Sequence, residues 1–452
     1  AERAPHKAPW DNSWQGVFRY DLEVSKHRTA TVPGPSSFGI FPSKSRRVCR
    51  DRATRRKSGT EKETLKLADK ITSETIFNLQ DRVAPLDIIA LPGTEELGGK
   101  INAHLQEWAC NSGREQDSFL IPVECPRFSS GDGKGMIKAS IRGDDLFILV
   151  DVGNYSCTYN MFGRENSMSP DDHFQDLKRI IQAAGGKAHR INVIMPILYG
   201  GRQHRRSYRE SLDCAVSLQE LERMGVSNII TFDAHDARVQ NAVPLMGFDN
   251  VIPAYQTLKA LFHSFPDLIP DREHLMIVSP DEGAMHRNMY YASIMGLDLG
   301  MFYKRRDYAR VVNGRNPIVA HEYLGDSVEG RDIFIADDII SSGESMLDIA
   351  YELKKRKAGR IFAYATYPIF TNGLEAFDKA YEEGVIAGVL GTNLTYRTPA
   401  LRQREWFCEV DVSKYIAYFI AALNHDVSVS LIIDPHEKIK NLLAEHRACQ
   451  GR

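Results

Sequence analysis

The sequence predicts an α/β protein of two tandem units, each a mainly parallel sheet flanked by helices, behind an N-terminal extension. Two observations predict it. From Leu86 on, apolar runs such as Asp87-Ile88-Ile89-Ala90-Leu91, Leu146-Phe147-Ile148-Leu149-Val150, Ile191-Asn192-Val193-Ile194-Met195 and Ile229-Ile230-Thr231-Phe232 alternate with helical patterns. Strands covered by helices on both faces require such runs. The alternation then starts again, with Leu275-Met276-Ile277-Val278, Leu297-Asp298-Leu299-Gly300-Met301-Phe302 and Asp332-Ile333-Phe334-Ile335-Ala336 as strands.

The helices have readable ends. Ser169-Pro170-Asp171-Asp172 supplies a cap, a first-turn proline and two acids at the positive helix end; Phe174, Leu177 and Ile181 share a face before Gly185 stops the helix. After the last of the strands above, Met346, Ile349, Ala350 and Leu353 fall at i, i+3, i+4 and i+7, a buried stripe. The expected organisation is an extension over 1–80, units over 81–250 and 251–412, and a helical segment over 413–452. Ile416, Phe419, Ile420, Ile439, Leu442 and Leu443 give that last segment the apolar residues to pack back on the first unit.

Composition narrows the function classes. A chain of 452 residues suits two or three domains. A net charge of -2 argues against a general nucleic-acid binder, and no apolar run approaches the roughly 18 to 20 residues that cross a bilayer. Cys49, Cys110, Cys125, Cys157, Cys214, Cys408 and Cys449 are scattered without a C-x-x-C pair, so the expectation is a reducing cytoplasm with neither a disulfide framework nor a zinc site. Residues 1 to about 60 are rich in Pro, Ser and Arg, with a basic stretch from Lys44 to Lys57 broken only by Asp51. They read as a solvated tail, a targeting segment or a polyanion-binding arm, with no catalytic role.

The most informative string is Ile335-Ala336-Asp337-Asp338-Ile339-Ile340-Ser341-Ser342-Gly343-Glu344-Ser345, a buried strand, two acids, a hydroxyl-rich turn and a helix. Each part suits a phosphorylated sugar. The turn and helix start present backbone N–H groups and a positive dipole end to phosphate, Ser341, Ser342 and Ser345 add hydroxyls, and Gly343 permits close backbone approach. The paired carboxylates can accept hydrogen bonds from two ribose hydroxyls. The competing reading is an acidic helix cap, which the Ser-Ser-Gly-x-Ser run after a buried strand disfavours.

This string resembles the phosphoribosyl-pyrophosphate loop of the type I phosphoribosyltransferase fold, and its surroundings resemble the ribose-phosphate pyrophosphokinase family. Pro196-Ile197-Leu198-Tyr199-Gly200-Gly201-Arg202-Gln203-His204-Arg205-Arg206 is similar to the family's ATP-binding stretch ending Arg-Gln-Asp-Arg. Thr231-Phe232-Asp233-Ala234-His235-Asp236 is similar to its Asp-Leu-His-Ala, whose His is a magnesium-site residue. Val278-Ser279-Pro280-Asp281-Glu282-Gly283 looks like Ser-Pro-Asp-x-Gly, and Phe302-Tyr303-Lys304-Arg305-Arg306 like the Lys-Arg-Arg opening a mobile catalytic loop. Ser140 to Ile148, Gly325 to Arg331 and Thr392-Asn393 extend the likeness over about residues 86 to 433.

The resemblance implies two phosphoribosyltransferase-like domains. It implies ATP at Arg202, Gln203 and His204, aided by Phe128 and Asp132 of a turn that in the family serves a neighbouring subunit's adenine pocket. It further implies ribose 5-phosphate at Asp337, Asp338, Ser341, Ser342, Gly343, Glu344 and Ser345, magnesium at Asp233, His235 and Asp281, and catalysis by Lys304 and Arg306. A homo-oligomer, often a hexamer, is implied as well. Departures stand at Lys134, which ends the turn from Phe128, at His204 and Ser341, where the family has Asp, and at Tyr367, where it usually has His. They mark a divergent branch and motivate one rival reading, a non-catalytic regulatory or scaffolding relative. The other rival is a phosphoribosyltransferase, which would need neither Arg202-Gln203 nor a tandem unit.

Overall fold

The computed structural model describes residues 82–114, 116–306 and 318–450, with only the backbone of 304–306, 318–321 and 431. The extension expected over 1–80 lies outside them. The first sheet is fully parallel and runs in chain order: β1 (Leu86–Ala90), β2 (Asp145–Leu149), β3 (Arg190–Ile194), β4 (Asn228–Phe232) and β5 (Gly247–Val251). Helix α1 (Glu95–Asn111) leaves β1 and leads to Leu120, which pairs in parallel with Ile88 on the other side of β1 from β2. Winding therefore reverses direction at β1.

Strand alternation assigns the two faces of this sheet. Ile88, Phe147, Leu149, Ile194 and Ile230 face α1, while Ile89, Ile148, Val193 and Ile229 face α2 (Pro170–Ala184) and α3 (Asp213–Arg223). The start of α2 is held by a reciprocal cap. Ser169 Oγ accepts from the Asp172 N–H at 3.2 Å and Asp172 Oδ2 accepts from the Ser169 N–H at 2.9 Å, and Gly185 ends the helix at a φ of 51°. A short hairpin, Thr158–Met161 with Arg164–Ser167, rises between β2 and α2.

Helix α4 (Ala254–Ser264) leads into the second sheet. Its elements are β6 (Leu275–Ser279), α5 (Met285–Met295), β7 (Leu299–Arg306), β8 (Ile318–Leu324), β9 (Asp332–Ile340), α6 (Glu344–Lys355), β10 (Ile361–Pro368), α7 (Glu375–Glu382), β11 (Gly388–Thr392) and β12 (Phe407–Val410). The spatial order is β8-β7-β6-β9-β10-β11-β12, parallel except for the β7–β8 pair. Here winding reverses between β6 and β9. The crevice at the carboxyl ends of such neighbouring strands is where open α/β sheets receive ligands.

Strand β9 runs further than a strand ending at its two acids. Asp337 and Asp338 lie inside it, because Ile339 and Ile340 go on pairing with Tyr367 and Pro368 of β10. Its pairing with β6 stops at Phe334, so both acids extend past β6.

The C-terminal segment divides between the units. Helix α8 (Ser413–Asn424) lies on α1, with the Trp108 and Tyr418 rings 4.6 Å apart. Helix α9 (His436–Cys449) turns toward α4 and α5, burying Ile439 and Leu443, and His446 and Arg447 bond the carbonyls of Leu268 and Pro270. One apolar cluster thus joins inner faces of both sheets through α1, α4, α5, α8 and α9, and two outer clusters sit under α2–α3 and α6–α7.

Asp145 ties α8 to the first sheet. Fully buried, its carboxylate accepts from Arg190 Nε at 2.8 Å and Nη2 at 2.7 Å, from Asn192 at 2.8 Å and from Asn424 at 3.1 Å. Removing one member of a buried, fully bonded ion pair leaves the rest uncompensated. Asp145→Ala is expected to cost about 3–5 kcal/mol in urea unfolding at neutral pH; a loss under about 1 kcal/mol would contradict this account.

Candidate active site

A cleft of about 710 Å³ opens where the carboxyl ends of both sheets meet. The first unit contributes Val152 to Tyr155, Met168, Asp171, the loop Ile197–Gln203 and Phe232 to His235; the second contributes Asp338, Ile339, Tyr367 and Ile369 to Thr371. Apolar side chains form much of its wall and charged groups gather at the seam. Gln203 Nε2 donates to the carbonyls of Ser211 at 3.0 Å and Arg205 at 3.3 Å, which pins the loop carrying Arg202.

The seam is an acidic cluster around one arginine. Arg287, on α5, is 7% exposed; its Nε donates to Asp233 Oδ2 at 2.6 Å and its Nη1 to Asp337 Oδ1 at 3.2 Å, while Nη2 lies 3.8 Å from Asp338 Oδ1. Thr366 Oγ1 donates to the same Asp233 oxygen at 2.7 Å. Burial opposes the Arg287 charge, yet Asp233 and Asp338 hold its pKa above the ordinary value. Burial and the Asp338 charge push the Asp337 carboxyl well above the usual range, against the pull of Arg287.

His235 Nδ1 meets Asp338 Oδ2 at 2.8 Å, bridging the two units. That hydrogen bond raises the His235 pKa, and although burial works against it, the same bond and Arg287 hold Asp338 well below its usual range. When the ring is neutral and Nδ1–H donates to the carboxylate, the lone pair lies on Nε2, the nitrogen a cation would take. The His204 ring stands 5.4 Å from that of His235, and its Nε2 is 3.4 Å from Asp236 Oδ2.

The backbone is strained at the same place. Asp233 has a φ of 44°, unusual for a residue with a side chain. Its N–H bonds the Val251 carbonyl at 2.8 Å, the next N–H bonds Asn250 Oδ1 at 2.9 Å, and Tyr367 donates its hydroxyl to the Phe232 carbonyl just before it. The turn is thus held from β5 and β10 together.

Beyond Thr371, whose N–H bonds the Ser341 carbonyl at 2.8 Å, lies the loop Ser341-Ser342-Gly343-Glu344-Ser345 at the start of α6. Gly343 has a φ of 82°, and a β-carbon there would stand 2.3 Å from Phe377. Among the described residues no side chain caps this helix start, which leaves its first N–H groups to an anion.

The cleft brings together Arg202, Gln203, Asp233, His235 and Asp338, with Asp337 behind them on Arg287. Asp281 accepts from the Ala284 N–H at 3.1 Å, and its charge reaches Asp337. Glu344 is exposed, with Asn372 Nδ2 at 3.4 Å. Phe128 and Asp132 sit apart, on a turn outside the cleft, with Lys134 Nζ 5.9 Å over the exposed Phe128 ring. Lys304 and Arg306 belong to β7 by their backbone, paired opposite His321 and Ile318; their side chains, and the segment 307–317 that follows, lie outside the described residues. Sequence reasoning missed Arg287 and Thr366. A signal for Arg287 existed: it shares a helix face with Tyr291 and Met295 at i+4 and i+8, a cation on an apolar stripe.

Among the described residues no three His, Cys, Asp or Glu side chains gather to hold a metal ion by themselves. Magnesium does not require such a cage, since it keeps waters and substrate phosphates and takes one or two protein ligands. Three carboxylates sharing one arginine, beside a carboxylate-oriented histidine, fit that sparse role.

Two family models match this chain: the N-terminal domain of ribose phosphate pyrophosphokinase over residues 86–225 and a phosphoribosyl transferase domain over 261–381. The fold is that of a tandem α/β protein built of two phosphoribosyltransferase-like domains. A ribose-phosphate pyrophosphokinase of Burkholderia pseudomallei is 31% identical over 252 residues, 55% of this chain and 70% of that protein. That of Vibrio cholerae is 28% identical over 315 residues, 68% of this chain and 90% of the relative. The crystal structure of phosphoribosylpyrophosphate synthetase from Mycobacterium smegmatis superposes with a TM-score of 0.61 at 19% identity, covering 76% of this chain and 99% of that one, a likeness of fold. The chain belongs to the ribose-phosphate pyrophosphokinase family.

The His235–Asp338 pair can be checked by NMR titration without metal. His235 should titrate above the free-imidazole value of about 6.5, and Asp338→Asn should bring it down. Because the folded His pKa is raised, its stabilisation is complete below about 6.5 and fades as pH rises through the folded value; the depressed Asp338 contributes above about 4 and fades as pH falls. A midpoint unmoved by Asp338→Asn would refute the pairing.

Proposed function

We propose that this chain transfers the pyrophosphoryl group of magnesium-ATP to the anomeric hydroxyl of ribose 5-phosphate, giving 5-phosphoribosyl 1-pyrophosphate and AMP. The observation that carries this reading is the His235–Asp338 bridge, which puts the loop of Arg202 and Gln203 and the strand of Asp337 and Asp338 on one cleft. In this reading ATP lies on the first unit, with its phosphates toward Arg202. The sugar hydroxyls donate to Asp337 and Asp338, and the 5-phosphate takes the N–H groups and serines at the start of α6. The anomeric oxygen attacks the β-phosphorus and its proton passes to solvent, the bond from that phosphorus to the oxygen bridging the α-phosphorus breaks, and AMP leaves with that oxygen.

Such a transfer asks the protein for alignment and charge rather than covalent chemistry. Lys304 and Arg306 are assigned to the charge that develops on the transferred group. Magnesium would be held by phosphate oxygens with His235, Asp281 and Asp233 near them, and supplies neutralisation of the polyphosphate. Self-association as a homo-oligomer, a hexamer as the family resemblance implies, and a cytoplasmic location complete the reading; no helix among the described residues is long and apolar enough to cross a membrane.

The direct test is AMP release from magnesium-ATP with and without ribose 5-phosphate. Sugar-dependent AMP is expected, and ATP binding without AMP would overturn the reading in favour of a non-catalytic relative. Lys304→Ala should lower turnover far more than sugar binding; unchanged turnover would remove that assignment. Gly343→Ala should raise the KM for ribose 5-phosphate ~10-fold or more while leaving that for ATP near its original value, because the new methyl collides with Phe377 and displaces the phosphate loop.

A further inference from the structure

The Tyr367 hydroxyl reaches across the seam between the units. Tyr367 is in β10, 3% exposed, directly opposite Ile339, the residue after Asp338. Its hydroxyl lies against two carbonyls of the first unit, those of Pro196 and Phe232, and its single proton is left for Phe232 because Pro196 O already has two other donors. Pro196 opens the loop to Arg202 and Gln203, and Phe232 ends the strand before Asp233 and His235. One phenol therefore lies between the strand carrying the acids and both strand exits carrying the cationic and histidine residues.

The two carbonyls depend on it unequally. Pro196 O also accepts from Thr231 Oγ1 at 2.8 Å and from the Phe232 N–H at 3.1 Å, so it keeps partners without Tyr367. The Phe232 carbonyl precedes the residue whose φ is 44°. A peptide entering a left-handed turn is free to swing unless both its ends are held; its N–H is held by Val251 and its carbonyl by Tyr367.

We infer that Tyr367 is a positioning residue: its hydroxyl fixes the Phe232–Asp233 peptide against β10 and so sets where His235 stands relative to Asp338 and the sugar strand. It touches neither substrate in this account, and the inference rests on the proposed transfer, whose rate depends on alignment between the two half-sites.

Tyr367→Phe keeps the ring and removes only the hydroxyl. Tyr415→Phe is the control: the Tyr415 ring stands edge-on to Phe232 with centroids 6.4 Å apart, but its hydroxyl bonds the Ile432 carbonyl at 3.0 Å, so the variant keeps the ring contact and breaks no bond to either strand exit. Two readouts are taken on the folded full chain, amide hydrogen exchange across residues 232–236 and steady-state AMP formation. The expected result for Tyr367→Phe is exchange at residues 233–236 faster by ~10-fold or more with the other strands unchanged, and kcat lower by ~10-fold or more with both KM values within ~2-fold. Tyr415→Phe should change neither. Unaltered exchange and kcat in folded Tyr367→Phe would overturn the inference, as would failure of that variant to fold while Tyr415→Phe folds, since the hydroxyl would then be a general anchor. Should the unaltered protein form no AMP, the proposed transfer fails, and the exchange readout alone decides whether Tyr367 holds the turn.

Discussion

The arrangement of the cleft depends on one buried guanidinium: three carboxyl groups, those of Asp233, Asp337 and Asp338, gather on Arg287. Removing ions from water is costly, and such a group persists only where its geometry and remaining hydrogen bonds offset the desolvation. Here Thr366 and His235 supply the additional bonds. Because Asp233 comes from the first unit and the others from the second, the same charges that shape the site also fix the two sheets in register. Crowding and burial raise the proton affinity of Asp337, and burial makes each oxygen's direction matter more than its number.

The layers explain why these residues can sit there. Each sheet reverses its winding, at β1 in one unit and between β6 and β9 in the other, and each reversal leaves an open crevice at the carboxyl edge. The shared inner core brings those edges face to face. Side chains immediately after strand ends, such as Asp233 and His235, and the two acids of β9 that outrun β6 are thereby placed on one surface although about a hundred residues separate His235 from Asp338 in the chain.

What could be read in the sequence follows from period and position. Buried parallel strands announce themselves as apolar runs, so β2, β3, β6 and β9 were legible, and so was the capped helix from Pro170 to its glycine stop. Polar residues next to those runs, Arg202, Asp233, His235, Asp337 and Asp338, stood out for the same reason. Arg287 did not, because its charge is hidden on the inner face of α5 and its significance lies in contacts from β4 and β9. Tyr367 was visible as an unusual residue, but that its hydroxyl crosses to Phe232 is a fact of tertiary packing. Strand β9 continued through Ile339 and Ile340 because β10 offered a partner, which no local pattern contains.

The Asp145 network has a consequence for how the chain comes into being. Asn424 bonds both Asp145 and the Ala84 carbonyl, 340 positions away from the latter, and α8 completes the inner face of the sheet that opens the fold. On a ribosome making 5–20 residues per second, roughly 15 to 70 seconds pass between the emergence of β1 and that of α8. Throughout that interval the nascent first unit carries an uncovered apolar helix face and a carboxylate short of one of its bonds. Closure of this core therefore waits for a helix some 340 positions downstream of its first strand, so a translation product ending before residue 413 carries a hydrophobic face that only chaperones or its neighbours can cover.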